Sequence, residues 1–316
     1  MKAQVAETIL RAQNILVISH KDPDGDAIGS ILGLTWALRK LGKHVYPACS
    51  DAVPEIYAFL PGSHEISAHS ATTQDLIVTL DGSDATRFGD CFAPGLVADF
   101  TVVSIDHHVT NTRFATLNWV GPTYAATCEM VFDLLPFLGV TLDARIATCL
   151  LTGALTDTRG FRTPSTTPRI LKIAAELVAA GAPLAEITDQ VFNNHALKSL
   201  RLWGKIIESM EFSDNLLWAT NTVAIRRACG VDRTATNGVV NVLATAREAH
   251  AAILFTERDD GQVEVSMRSR PGYNVANVTL RLGGGGHPQA AGCTVDGPLQ
   301  QAIDRVLAEV RASFDG

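Results

Sequence analysis

The stretch NILVISHKDPDGDAIGS, from Asn14 to Ser30, sets the reading of the whole chain. Its first six residues are nearly all apolar, the composition of a strand buried on both faces. From Ala27 to Leu41 apolar residues recur at helical spacing. Between the two lies a turn carrying His20, Asp22, Asp24 and Asp26, and Gly25 lets the backbone bend between the last two aspartates. Mixed carboxylate and imidazole donors at this spacing suit a borderline-hard divalent ion. The plain alternative is a capping turn, with Asp26 as the helix N-cap and the other acids solvated.

Working outward, strand-like runs follow at HVYPAC (44–49), DLIVTL (75–80) and TVVSI (101–105), with helical periodicity over Tyr124–Leu138 and Asp143–Leu155. Short apolar strands separated by helices predict an α/β fold whose parallel sheet carries helices on both faces. Three of the strands end in polar residues: His20, Asp81, and the run Asp106-His107-His108. Ligands of open α/β sheets collect beyond the carboxyl ends of the strands, so one rim is expected to hold all of these side chains.

Helices are predicted over Thr167–Ala180 and Ala196–Ser209, with Gly181-Ala182-Pro183 as a stop and restart between them. A second α/β pattern follows, with strands at Leu216–Thr220, Ala251–Glu257 and Val263–Arg268. Asp260-Gly261 is its hairpin turn, and helices are expected near Val275–Leu282 and Leu299–Phe314. A chain of 316 residues exceeds what one core usually serves. The expected division is a first domain over 1–190, a helical linker over 191–213 and a smaller α/β domain over 214–316.

Composition narrows the function. The net charge of −7 disfavours a grip on long duplex nucleic acid, whose affinity rests on neutralising phosphates, and favours a small or short substrate. No apolar run approaches a membrane span, and the N-terminus lacks the apolar core of a signal peptide. Six scattered cysteines include no CxxC pair, which argues against a zinc knuckle or a disulfide framework and for the cytoplasm.

The remaining motifs carry the chemistry. TLDGSD places Asp81 at a strand end, SIDHH places two histidines facing different sides, and LTGALTDTRGFRTP places Asp157 at the end of an apolar helical run. Asp81 and Asp157 alone read as a turn and a cap, whereas SIDHH is more telling. In the order HxxxDxD, D, DHH, D they resemble the DHH phosphoesterase superfamily. In the second half, SMRSR and GGGGHPQAAG resemble the DHH-associated domain of its nanoRNase and pAp-phosphatase (NrnA-like) branch. The resemblance spans nearly the whole chain.

That resemblance implies two divalent ions, manganese first and magnesium or cobalt as substitutes. His20, Asp24 and Asp81 would hold one ion; Asp26, Asp81, His107 and Asp157 would hold the other, with Asp81 bridging. Asp106 would orient a histidine, His108 would act on the reacting phosphate, and Asp22 falls outside the required pattern. In the second half, glycines let backbone N–H groups approach an anion. Gly284, Gly285, Gly286 and His287 are therefore expected to cradle a phosphate, with Arg268, Ser269 and Arg270 beside them. The implied substrate is short single-stranded RNA or DNA, or adenosine 3′,5′-bisphosphate (pAp), without long duplexes or membranes; a homodimer is compatible. The rival readings are a stand-alone cyclic- or linear-dinucleotide phosphodiesterase, a family II pyrophosphatase, a RecJ-like exonuclease and an inactive nucleotide-binding module. A pyrophosphatase would carry a lysine/arginine motif in place of GGGGH, a RecJ-like enzyme needs more chain, and filled ligand positions argue against inactivity.

Overall fold

The apolar strand that opens the sequence is the centre of the first sheet. In the computed structural model, which describes residues 1–232 and 238–314, contacts divide the chain into two units, Met1–Asn194 and His195–Gly316. The first unit runs α1 (Lys2–Arg11), β1 (Asn14–Ser19), α2 (Gly25–Lys40), β2 (His44–Ala48), β3 (Leu76–Leu80), α3 (Leu96–Asp99), β4 (Val102–Asp106) and β5 (Leu117–Val120). It closes with α4 (Thr127–Leu138), α5 (Ala144–Asp157), α6 (Pro168–Ala179) and α7 (Leu184–Thr188). Its five strands are all parallel, in the order β2-β1-β3-β4-β5.

Alternation along β1 splits the core into two layers, as the pleat requires. Ile15 and Val17 pack with Ile31, Leu34 and Leu38 of α2 and Val131 and Leu134 of α4. Leu16 and Ile18 face the other way, onto Phe88 and Phe92 in and beside a 3-10 segment, Ala85–Cys91. The sheet is thus covered on both faces, by long helices on one and by short helical pieces on the other.

The second unit runs α8 (Leu197–Glu208), β6 (Glu211–Ser213), β7 (Leu216–Asn221), α9 (Val223–Cys229), α10 (Val239–Leu243), β8 (Ala251–Glu257) and β9 (Gln262–Ser269). Then follow α11 (Val275–Arg281), β10 (Gly285–His287), β11 (Ala290–Asp296) and α12 (Leu299–Phe314). A six-stranded mixed sheet has the order β10-β11-β9-β8-β7-β6, with only β7 and β8 parallel among the described pairings. Leu202 and Ile206 of α8 pack on one side of it with Leu217 and Leu254, while α12 seals the other side with Val306 and Val310. The cysteines are unpaired, and no helix among the described residues is long and apolar enough to cross a membrane.

Candidate metal centre

The strand order places a switch point between β1 and β3, because the chain leaves β1 for β2 on one side and returns to β3 on the other. Open sheets bind ligands at such a point. Ser19 and Leu80 are register partners at the carboxyl ends of these strands, so the residues that follow them, His20 and Asp81, emerge side by side. His20 Nε2 lies 3.5 Å from Asp81 Oδ2 and 3.9 Å from Asp24 Oδ1. Asp81 adopts a positive φ of 58°, a conformation that aspartate tolerates and that recurs where side chains are aimed at function. After it, Gly82 packs so tightly on Phe88 that a Cβ there would stand 2.3 Å from the ring.

The opposite wall is built by close helix packing. Gly25, Gly29 and Gly33 lie four apart on α2, and a Cβ on each would come within 2.4–2.5 Å of Thr156, the Cys149 carbonyl or Leu150 on α5. Glycine at this spacing lets the two backbones touch, and it brings Asp26 on α2 beside Asp157 on α5. His107 closes the group, its Nε2 3.1 Å from Asp157 Oδ2 and 3.5 Å from Asp81 Oδ1. Gly153 is the tightest point: a Cβ there would meet Cys128 Sγ at 2.2 Å and Asp26 Oδ1 at 2.6 Å. Gly153→Ala should therefore destabilise the protein by about 1–3 kcal/mol in denaturant titration, the usual cost of overpacking. An alanine variant as stable as wild type would mean the helices are not this close.

Asp24, not Asp26, is the N-cap of α2: its Oδ1 accepts from the Asp26 and Ala27 N–H groups at 3.0 Å each. Asp26 is instead directed away from its own helix to the start of α4. Its two oxygens accept from Thr127 N at 2.5 Å and Cys128 N at 2.8 Å. This explains why α4 starts at Thr127 rather than at Tyr124, since Ala126 is extended and has no capping side chain of its own. α5 likewise runs past Leu155 to Asp157, with Asp143 as its N-cap. Asp22 is exposed, and only its backbone N–H is engaged, by Asp51.

His108 faces differently from His107, as the adjacent pair requires. Its Nδ1 is 2.7 Å from Asp106 Oδ1, and Asn111 Nδ2 donates to the other oxygen, Asp106 Oδ2, at 2.6 Å. Asp106 is fully buried and thus fixes the ring of His108. Thr127, Cys128 and Asn111 escaped the sequence reading. A threonine opening a helix without a local cap was the only trace of the first two.

Asp26, Asp81, His20 and His107 are all buried, so the cluster gathers like charges away from water. Burial and the Asp81 and Asp157 carboxylates push the Asp26 carboxyl well above the usual range. Burial would raise Asp81 too, but the hydrogen bond from His20 and the charges of His108 and His107 outweigh it and hold Asp81 below that range. Burial opposes protonation of His20, yet Asp81 and Asp24 prevail and push it up to about 9. His107 is raised against its burial by Asp157 and Asp81. A divalent cation held here would offset the carboxylate charge. Several donor groups could receive one, among them His20–Asp24–Asp81, Asp26–Asp81–His107 and Asp81–Asp106–His108, each with ligand atoms within 4.8 Å of one another.

Comparison with known proteins fits this arrangement. The sequence pattern of the DHH family, N-terminal domain, matches residues 14–154, and that of the DHHA1 domain matches residues 220–315. A bifunctional oligoribonuclease and PAP phosphatase NrnA of Thermus thermophilus is 39% identical over 311 residues, covering 97% of this chain and 92% of that protein. The chain belongs to the DHH family. The Bacillus subtilis protein of the same name is 27% identical and covers 98% of this chain and 97% of its own length. Among solved structures, an exopolyphosphatase-related protein from Bacteroides fragilis superposes with a TM-score of 0.90 at 25% identity, covering 98% of this chain and 95% of that one.

In the DHHA1 domain of this DHH protein, Arg268 stands near the end of β9. Its Nε donates to Asn241 Oδ1 at 2.9 Å, so a residue of α10 holds the guanidinium in place. Ser269 Oγ donates to the carbonyls of Tyr273 at 2.6 Å and Pro288 at 3.3 Å, and Arg270 Nη2 donates to the Ala246 carbonyl at 3.1 Å. These two tie the loop together. The glycine run is more ordered than a flexible cradle. Gly285–His287 form the edge strand β10, paired with Gly292, Ala291 and Ala290 of β11. Gly284 N–H is already given to the Thr279 carbonyl at 2.7 Å. A Cβ on Gly284 would stand 2.2 Å from the Gly292 carbonyl, and one on Gly286, at φ 139°, would stand 2.6 Å from the Ala290 carbonyl. Close strand packing is therefore one reason for these two glycines. Among the described residues β10 is an edge strand of its sheet.

Proposed function

We propose that this DHH protein is a divalent-metal phosphoesterase, activated by manganese, that releases mononucleotides from short single-stranded oligonucleotides and the 3′-phosphate from pAp. The observation that carries the proposal is Asp81, whose two oxygens face different donor groups: Oδ2 lies toward His20 and Oδ1 toward His107. A carboxylate so placed suits two ions held side by side. Divalent ions held by these residues would supply a water nucleophile at neutral pH and neutralise charge developing on phosphorus. His20 and Asp24 would hold one ion, and Asp26, His107 and Asp157 the other. The names of the Thermus and Bacillus relatives support the substrate class.

The chain's own groups would do the rest. Asp106 takes Nδ1 of His108, so proton exchange with the reacting phosphate would pass through Nε2 of that ring. Arg268, His287 and the edge of β10 would anchor the terminal phosphate of a short substrate, with Ser269 and Arg270 shaping the loop behind them.

Arg268→Ala tests that anchor. A charge-assisted hydrogen bond contributes roughly 1.5–3 kcal/mol, so kcat/KM for 5′-phosphorylated short oligonucleotides should fall about tenfold to a hundredfold. Hydrolysis of bis-p-nitrophenyl phosphate, which has no distal phosphate, should barely change, and neither should metal content. Equal losses on both substrates would assign Arg268 to the integrity of the fold.

The substrate assignment is tested by one manganese-supplemented panel of pAp, short RNAs, linear and cyclic dinucleotides and pyrophosphate. Turnover of pAp and short RNA well above the others is expected. Preference for a cyclic dinucleotide would favour the phosphodiesterase reading, and inactivity on every member the binding-module reading.

A further inference from the structure

Thr127 hydrogen-bonds both to Asp26 and to Asp81, the carboxylate that the two donor groups share. Its backbone N–H donates to Asp26 Oδ2 at 2.5 Å, and its hydroxyl donates to Asp81 Oδ1 at 3.0 Å. The residue is fully buried, as is Asp26, and Asp81 is nearly so. Water does not compete for either bond, and each bond is made to an ionisable acceptor in a low-dielectric setting.

The consequence follows from counting acceptor sites. A carboxylate oxygen has about two lone-pair directions. The hydroxyl of Thr127 occupies one on Asp81 Oδ1, the oxygen that also faces His107 Nε2 at 3.5 Å. On Asp26, Thr127 and Cys128 each take one direction, on separate oxygens. One direction on each of these oxygens remains for a cation, and the rotation of both carboxylates is set. Without such bonds, Asp81 could turn about its side-chain axis and present the wrong oxygen to one of the ions.

We propose that Thr127 is a positioning residue that fixes the bridging carboxylate of Asp81 relative to Asp26. Its hydroxyl sets how tightly the pair of ions is bound. The inference rests on the two-ion reading above. It goes beyond that reading because it gives a function to a residue that touches no substrate. The cap that starts α4 and the orientation of the ligands become one structural device: α4 cannot shift without moving both carboxylates.

The test compares Thr127→Val, which removes the hydroxyl and keeps the shape and the N–H, with Thr127→Ser, which keeps the hydroxyl. Manganese binding to the intact protein is measured by calorimetry, and kcat on pAp is followed as manganese is raised. Loss of a group that orients a ligand typically weakens metal affinity about 10- to 100-fold. Thr127→Val should show that loss, with most of kcat recovered at saturating manganese, and Thr127→Ser should bind within a few-fold of wild type. Wild-type affinity in Thr127→Val, or an equal loss in Thr127→Ser, would overturn the proposal. If Thr127→Val does not fold by circular dichroism, Thr127→Ala is measured in its place against the same expectations. A wild-type protein that binds manganese at one site or none would sink the two-ion reading itself, a different result from normal two-site binding in every variant.

Discussion

Replacement of Asp81 by alanine should lower turnover at least about a thousandfold, the scale on which a pre-organised electrostatic catalyst fails. The reason is position. Asp81 follows β3 at the switch point of the sheet, buried, with one oxygen toward His20 and the other toward His107. Without it both donor groups lose a member, and the bound metal per chain should fall for both ions rather than one. Because Asp81 sits at positive φ, alanine there carries backbone strain that asparagine largely avoids. Asp81→Asn therefore separates the loss of charge from the loss of backbone fit, and it should be nearly as inactive. Wild-type activity and metal content in either variant would remove Asp81 from the centre of the mechanism.

The second large effect separates chemistry from binding. His108→Ala should lower kcat by about 10²- to 10⁴-fold, the range over which positioned acid–base groups act, while metal content stays near normal. Its ring is held by Asp106 at 2.7 Å and lies 3.7 Å from Asp81, whereas His107 is 3.1 Å from Asp157 and 3.5 Å from Asp81. His107→Ala should show the converse, a lost ion. Loss of an ion from the His108 variant with retention in the His107 variant would exchange the two roles.

Much of this site was legible before the fold. The apolar runs that became β1, β3 and β4 each ended on the residue types that the structure gathers, because a parallel sheet sends the ends of its strands to one rim. What the sequence could not show was any relation set by packing at long range. The capping alternative makes Asp26 the N-cap of its own helix, yet its carboxylate caps a helix about a hundred residues later. The start of α4 was misplaced by three residues: Ala125 and Ala126 are good helix formers, but Asp26 on α2 takes the Thr127 and Cys128 N–H groups and Glu129 takes that of Ala125. The glycines of α2 gave no local sign that they face α5. α1 and β5 were missed because only a few of their residues are buried, and β11 because it opens on the small residues Ala290, Ala291 and Gly292, with β-branched residues only at Thr294 and Val295. The glycine run before His287 reads as a loop in isolation; its pairing with β11 makes it a strand.

The most direct measurement starts from chelator-treated protein freed of metal, titrated with manganese while bound metal and pAp hydrolysis are followed together. Turnover should be absent at the start, rise with added ion and reach its plateau at two equivalents per chain. Full turnover by the metal-free protein, or a plateau at a single equivalent, would contradict the two-ion account.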